Sequence, residues 1–285
     1  MNIDAHEDGD CAEGEALQHV GGTSTNDNIP YEVSAGGVAG EVESTPDLLT
    51  NSRDVCVPKM TTRESATVES GNGINLDVRI YKPTPEDNDS TSDDQKIVVV
   101  LVHPYSVLGG CQGLMKGIAR NLADQGIAAV TFDMRGVGKS TGRPSLTGFS
   151  EVSDVVAICK WTSKNLCSNR IVLVGSSAGA PIAGSAVDEV DEVIGYVSLG
   201  YPFGLTASIL FGRHHKAILQ SPKPKLFVMG TKDGFTSVKQ LANKIKSAAG
   251  RAETHLIEGV SHFQMEGPSY DADMANLIVT FISSL

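Results

Sequence analysis

Several features of other protein classes are absent from this chain of 285 residues. No run of 18 apolar residues occurs, so we expect no membrane-spanning helix. No spacing of cysteine and histidine is typical of a zinc site, and no Gly-x-Gly-x-x-Gly follows an expected strand. We therefore expect neither a metal nor an organic cofactor. The five cysteines are an odd number without paired spacing, which favours a reduced chain in the cytoplasm.

Basic residues are missing from the first 52 positions, which hold 11 of the 34 acidic residues. This segment is rich in small polar residues and cannot bury enough apolar surface to offset the entropy of ordering. We therefore predict a disordered acidic tail at 1–53 and one α/β domain at 54–285. The tail also lacks the basic and apolar regions of familiar targeting peptides. The other 23 acidic residues are balanced by 23 basic ones, which indicates no preference for nucleic acid.

The domain contains alternating strand-like and helix-like segments, which are typical of a parallel sheet covered by helices on both faces. Two β-like segments flank Gly71-Asn72-Gly73, and this pattern predicts an N-terminal β-hairpin. We predict strands at 65–70, 74–83, 97–102, 127–132, 171–174, 194–199, 225–229 and 254–258. We predict helices at 112–124, 150–165, 178–188, 205–218, 235–248 and 270–284.

One predicted strand leads directly into a nucleophile motif. Ile171 to Val174 is apolar and largely β-branched, and Gly175-Ser176-Ser177-Ala178-Gly179 then matches Gly-x-Ser-x-Gly. A helix-like segment of small residues follows. Strand, tight turn and helix are the context in which this motif forms a nucleophile elbow. Ser177 is therefore the candidate nucleophile, with its hydroxyl exposed at the N-terminus of a helix.

Two further candidates follow later strands in the order that an elbow predicts, first an acid and then a histidine. Asp233 follows the seventh predicted strand, and His262 follows the eighth. Because the carboxyl ends of parallel strands meet at one edge of a sheet, both are expected near Ser177. His262 is the candidate base, and Asp233 is the acid that orients it. Asp271 and Asp273 are weaker candidates for the acid because they fall at the start of the last helix.

Acyl transfer also requires hydrogen-bond donors for the developing oxyanion. The backbone N–H of Ala178, directly after the nucleophile, is one candidate. The second candidate is the backbone N–H of Tyr105, in the loop after the strand at 97–102. Pro104 has no N–H and cannot donate.

Taken together, these residues resemble the α/β-hydrolase superfamily from about Ser65 to the C-terminus. The markers are His103-Pro104, the stretch from Phe132 to Ser140, the elbow, Gly-x-x-Asp at 230–233 and Ser261-His262-Phe263. Within the superfamily the chain is similar to small predicted serine esterases with a His-Pro oxyanion loop. The resemblance implies an α/β-hydrolase fold with a mostly parallel central sheet. Lids in this superfamily commonly follow the sixth strand predicted here, and the 25 residues at 200–224 leave room for a short lid or none.

The segment at 200–224 carries the candidate pocket residues, apolar side chains that would cover the nucleophile: Phe203, Leu205, Ile209, Leu210 and Phe211. Tyr105 is a further candidate wall. The alternative is that the apolar stripe packs on the sheet, as most such stripes do, and both interpretations stay open. We expect His214 and His215 to lie on an exposed helix face.

The preferred hypothesis is a serine hydrolase that cleaves a small-molecule carboxylic ester or thioester through an acyl-Ser177 intermediate. Because a fold does not dictate a function, a non-catalytic binding or receptor protein is an alternative. A peptidase, an amidase or an acyltransferase using the same triad is another. The acyl group, the leaving group and the oligomeric state stay open.

Overall fold

The computed structural model describes residues 61–84 and 96–285. The predicted tail at 1–53 and the predicted domain start at 54 lie outside these residues. Eight strands are present within the described part: β1 Thr62–Glu69, β2 Asn75–Lys82, β3 Ile97–Val102, β4 Ala128–Phe132, β5 Arg170–Ser176, β6 Val193–Leu199, β7 Lys225–Gly230 and β8 Ala252–Ile257. They alternate with the helices α1 Lys116–Asp124, α2 Phe149–Asn165, α3 Gly179–Ala186, α4 Leu205–Gln220, α5 Val238–Ile245, α6 His262–Met265 and α7 Asp271–Ile282.

The strands form one sheet in the order β1-β2-β4-β3-β5-β6-β7-β8. β1 and β2 form an antiparallel hairpin, and β2 also pairs antiparallel with β4. All the remaining pairings are parallel. Asn72 has a φ of 52° at the hairpin turn, between two glycines that also have positive φ, as Asn-Gly turns favour. The predicted α/β fold, with its hairpin and mostly parallel sheet, is confirmed.

Strand β3 illustrates why the central strands are apolar throughout. Val98 and Val100 belong to the core on one face of the sheet, whereas Val99 and Leu101 belong to the core on the other. This division arises because successive side chains of a strand point to opposite faces. Helices α2, α3 and α4 pack into the first core, and α1 and α7 into the second. Each fully buried aliphatic side chain of this size stabilises the fold by about 1.5–3 kcal/mol.

The segment between β6 and β7 contains the helix α4 and no other helix. This agrees with the expectation of a short lid or none, and α4 contributes Ala207, Leu210 and Phe211 to the lining of the cavity at Ser177. Among residues 61–84 and 96–285, no helix combines the length and the apolar character that crossing a bilayer requires.

The expectation that His214 and His215 lie on an exposed face is wrong, because α4 turns both of them inward. His214 is fully buried, and its two ring nitrogens contact Ser185 Oγ at 2.6 Å and the Thr147 carbonyl oxygen at 2.7 Å. The ring of His215 packs edge-on against Tyr201 at 5.4 Å, measured between centroids. Its Nε2 has no hydrogen-bond partner within the described residues. His214 therefore ties α4 to α3 and to the loop at Thr147, and His215 packs α4 against the loop at Tyr201.

We predict that His215 makes the fold sensitive to acid. Burial, together with the positive charge of Lys244 and the neighbouring His214, lowers the pKa of His215 to about 4. The unfolded chain takes up this proton near pH 6.5, so protonation favours unfolding as the pH falls from about 6.5 to about 4. His215→Phe removes the group, and the stability lost across this window should shrink by about 1–3 kcal/mol. Urea unfolding at several pH values tests this, and equal pH slopes in both proteins would contradict it.

Candidate active site

Ser177 stands at the tip of the turn between β5 and α3. Its φ of 49° is left-handed, a conformation that is costly for a residue with a side chain. Its own N–H is held by the Leu199 carbonyl oxygen at 2.7 Å. A side chain at Gly179 would place its Cβ 2.0 Å from the His103 carbonyl oxygen, so glycine is required for the strand, the turn and the oxyanion loop to approach so closely. The local geometry is that of a nucleophile elbow.

The structure brings the nucleophile, base and acid candidates into one hydrogen-bonded chain. Ser177 Oγ lies 2.7 Å from His262 Nε2, and His262 Nδ1 lies 2.6 Å from Asp233 Oδ2. The His262 and Asp233 side chains are 3% and 1% exposed. Because the carboxylate accepts at Nδ1, the proton of a neutral imidazole is held there, and Nε2 is left to accept the serine proton.

Asp233 is itself held by the backbone. Its Oδ1 accepts hydrogen bonds from the N–H of Phe235 at 2.7 Å and of Thr236 at 2.8 Å. Burial raises the pKa of Asp233, but the hydrogen bond and charge of His262 and the two backbone N–H groups outweigh it, so the pKa is lowered overall. Asp233 is therefore ionised at neutral pH and fixed in orientation.

His262 lies at the start of the one-turn helix α6 rather than in a simple loop. Ser261 and Gln264 form a reciprocal capping box at this helix, in which the Ser261 N–H donates to Gln264 Oε1 at 2.9 Å. The ring of Phe235 packs on His262 with 4.6 Å between centroids. The cap and the aromatic contact restrict the imidazole to the orientation that its two hydrogen bonds require.

The loop that carries the predicted oxyanion donor Tyr105 is fixed by His103. Burial lowers the pKa of His103, and its neutral ring accepts from the Met134 N–H at 3.0 Å while Nδ1 contacts the Pro104 carbonyl oxygen at 2.6 Å. A Cβ at Gly110 would lie 1.6 Å from that oxygen. The N–H groups of Tyr105 and Ala178 have no hydrogen-bond partner among the described residues, and both residues lie beside Ser177.

A pocket of about 360 Å³ opens over Ser177. Its walls are formed mainly by apolar residues from four loops, from α4 and from α6, namely Pro104, Tyr105, Ala178, Pro202, Ala207, Leu210, Phe211, Phe235 and Phe263. Glu266 completes the lining and is the one charged residue in it among those that the structure describes. The cavity therefore suits an apolar group next to the serine hydroxyl.

The pocket residues predicted from the sequence are only partly correct. Leu210 and Phe211 line the cavity, but Leu205 and Ile209 are about four-fifths exposed and lie outside it. Because Leu205 and Ile209 are four positions apart, they share one outer face of α4. Phe203 is also outside the lining, because it is buried behind the pocket with its ring stacked on Tyr201 at 4.1 Å.

Six of the lining residues were not predicted as pocket residues: Pro104, Pro202, Ala207, Phe235, Phe263 and Glu266. Glu266 carried one usable signal, since it follows His262 by four positions and so falls on the same side of a helical turn. Within residues 61–84 and 96–285, no three His, Cys, Asp or Glu side chains are grouped in a way that would hold a metal ion.

Comparison with protein families gives a match over residues 72–192 to the family described as X-Pro dipeptidyl-peptidase (S15 family). A segment of 101 residues is 32% identical to an uncharacterised 31.7 kDa protein of the traX-finO intergenic region of Escherichia coli. This match covers 32% of the chain and 35% of that protein, so the chain spans about a third of the length of the curated relative it matches.

Solved structures are similar over most of the described chain. An α/β serine hydrolase homologue from Coxiella burnetii superposes with a TM-score of 0.62 at 25% identity, covering 76% of this chain and 96% of that one. A lidless serine hydrolase from Xanthomonas campestris superposes with a TM-score of 0.62 at 23% identity, covering 78% of this chain and 94% of that one. The Pf2001 esterase from Pyrococcus furiosus superposes with a TM-score of 0.61 at 18% identity, covering 79% of this chain and 93% of that one. The chain belongs to the α/β-hydrolase superfamily.

In this α/β hydrolase, we predict that Asp233→Asn reverses the tautomer of His262. The new amide would keep its oxygen on the two backbone N–H groups and turn its NH₂ toward Nδ1, so the ring proton would move to Nε2. The strongly deshielded Nδ1 proton signal in the NMR spectrum should disappear, and any hydrolytic activity should fall on the order of 10³–10⁴-fold. Asp273→Asn, on the exposed side of α7, is the matched control. Retention of the Nδ1 signal in Asp233→Asn would contradict the prediction.

Proposed function

We propose that this α/β hydrolase is a serine hydrolase that cleaves a carboxylic ester or thioester through an acyl-Ser177 intermediate. The single observation that carries the proposal is the 2.7 Å contact between Ser177 Oγ and His262 Nε2 at the floor of a pocket open to a substrate. A serine hydroxyl is a weak nucleophile at neutral pH, and a neutral imidazole at this distance is the base that activates it.

In the acylation step, His262 Nε2 takes the proton of Ser177 while Oγ attacks the substrate carbonyl carbon. Asp233 keeps Nδ1 protonated and stabilises the imidazolium that forms. His262 then returns the proton to the departing alcohol or thiol, which leaves an acyl-Ser177. The lowered pKa of Asp233 supports its role, because the imidazolium requires an ionised partner at neutral pH.

The tetrahedral intermediate requires donors for its oxyanion, and the backbone N–H groups of Tyr105 and Ala178 are proposed for that role. Both lack a hydrogen-bond partner within the described residues and border the pocket. Loss of one such donor typically costs about 10²–10³ in rate. In the second half of the reaction, His262 activates a water molecule that attacks the acyl-Ser177 and releases the acid.

A peptidase activity is the second candidate, and the match to the X-Pro dipeptidyl-peptidase family favours it. The matched residues, 72–192, include Ser177 but end before Asp233 and His262. The same three residues would cleave an amide, provided that His262 protonates the leaving nitrogen. An acyltransferase would differ only in the acceptor that takes the place of water.

We expect Ser177→Ala to abolish covalent labelling by a fluorophosphonate probe. The wild-type protein should label, because the probe reports an activated serine in an accessible pocket, and should hydrolyse 4-nitrophenyl esters or acyl thioesters. The variant should lose the ester activity by several orders of magnitude. Intact-protein mass spectrometry gives the labelling, and absorbance gives the hydrolysis.

Ser283→Ala is the matched control, since this serine lies outside the pocket lining and its hydroxyl only caps the Val279 carbonyl oxygen. It should label as the wild type does. Assaying X-Pro 4-nitroanilides in parallel separates the two candidate activities. A folded wild-type protein that neither labels nor cleaves any of these substrates would favour a binding role instead.

A further inference from the structure

The Glu266 carboxyl lies beside the reacting atoms without serving the Asp233–His262–Ser177 chain. It follows α6, four positions after His262, and its Oε1 is 3.6 Å from His262 Nε2. Its side chain is 17% exposed, and the residue lines the pocket over Ser177. Because Oε1 to Nε2 and Nε2 to Ser177 Oγ are both short distances, the carboxyl lies close to the nucleophilic oxygen as well.

One oxygen of the Glu266 carboxyl lacks a hydrogen-bond partner. This atom, Oε1, makes no hydrogen bond within the described residues. His262 does not supply one in the resting state, because its Nδ1 is directed to Asp233 and its Nε2 to Ser177. A largely buried charge against apolar walls is unfavourable unless a cation or donors compensate it. The Ser176 and Ser177 hydroxyls offset part of that cost for Glu266, and a cation that enters the pocket would offset more of it.

Several neighbouring groups influence the charge of Glu266. Burial raises the pKa of Glu266, and Asp233 adds to that effect, whereas His262 and the hydroxyls of Ser177 and Ser176 oppose it. No lysine or arginine lines the pocket among the described residues. The site thus presents a single negative group to a substrate, in a setting where solvent screens it less than at the surface.

We propose that Glu266 selects substrates by charge, favouring esters or thioesters with an ammonium group near the scissile carbonyl and rejecting those with a carboxylate. The inference rests on the proposed hydrolase function and names the substrate class of the same site. The acyl carbon must reach Ser177 Oγ, so an ammonium group a few bonds from that carbon, on either the acyl or the alcohol side, comes within contact distance of Glu266. The acid product carries a negative charge, which Glu266 repels, and this also promotes product release.

Matched substrate pairs test the proposal, each pair having the same shape with and without the charge. On the alcohol side these are acetylthiocholine and S-(3,3-dimethylbutyl) thioacetate. On the acyl side they are the 4-nitrophenyl esters of 4-(trimethylammonio)butanoate and 5,5-dimethylhexanoate, with the hemiglutarate ester as the anionic case. The wild-type kcat/KM should favour the cation of at least one pair roughly ten- to a hundredfold, as a contact between close opposite charges can give. The anionic ester should be the poorest substrate.

Glu266→Gln keeps the shape of the side chain and removes its charge. It should lose most of the preference for the cation and gain activity on the anionic ester, and circular dichroism together with thermal unfolding shows whether it is folded. Glu258→Gln changes the net charge by the same amount at an exposed position outside the pocket, and it should keep the wild-type preference. A cation preference that survives in Glu266→Gln would overturn the proposal.

The outcomes separate this inference from the function on which it rests. If the wild type hydrolyses no neutral or charged ester, the proposed function fails. If it hydrolyses the neutral esters and does not prefer the cation on either side, the charge selection alone fails. If Glu266→Gln does not fold, the salt dependence of the wild-type preference for the cation tests the proposal instead. Its preference must weaken as salt rises from about 0.05 M to about 0.5 M, and a preference independent of salt counts against Glu266.

Discussion

Parallel pairing of the strands β5 to β8 is the constraint on which the rest of the site depends. It brings the ends of these strands to one edge, so that Ser177 and His262, which are 85 positions apart in the sequence, meet at 2.7 Å. Asp233, 29 positions before His262, reaches it because β7 pairs directly with β8. The backbone that carries each of these three side chains has little conformational freedom, because it lies close to the end of a strand in the sheet. The hydrogen-bonded chain is therefore positioned by the cores on both faces of the sheet.

Asp233 and Glu266 show how two carboxyl groups near one imidazole acquire different properties. Asp233 accepts two backbone hydrogen bonds and one from His262, and its pKa is lowered. The Oε1 of Glu266 accepts none within the described residues, and burial raises its pKa. Pairs of titratable groups whose environments push their pKa values apart are typical of sites that divide roles between them. These environments suit Asp233 to the orienting role in the proposed reaction, whereas Glu266 borders the pocket that a substrate would occupy.

Most of the fold was predictable because its signals are local. The apolar runs of the central strands follow from burial on both faces, and the elbow glycines follow from close packing around Ser177. The wrongly predicted pocket residues depend on how α4 is rotated about its own axis relative to the pocket, which the sequence does not reveal. Ile209 and its neighbour Leu210 are both apolar, and a rotation of about 100° along α4 decides which one faces the pocket. The four-residue helix α6 was not predicted because it is too short to show hydrophobic periodicity. Without α6, the sequence did not indicate that Glu266 lies beside His262.

One strained residue and several polar groups without hydrogen-bond partners among the described residues lie together where β5 ends. Ser177 is left-handed in the tight turn between β5 and α3, whereas Asn72 and Cys167, which share that conformation, lie in turns away from the pocket. The N–H groups of Tyr105 and Ala178 and the Oε1 of Glu266 lack partners within the described residues. Each such feature costs on the order of 1–3 kcal/mol, and the sheet and its two cores would form without any of them. Since they converge on one apolar pocket, a substrate that pairs with them during the reaction explains their presence better than a purely structural role does.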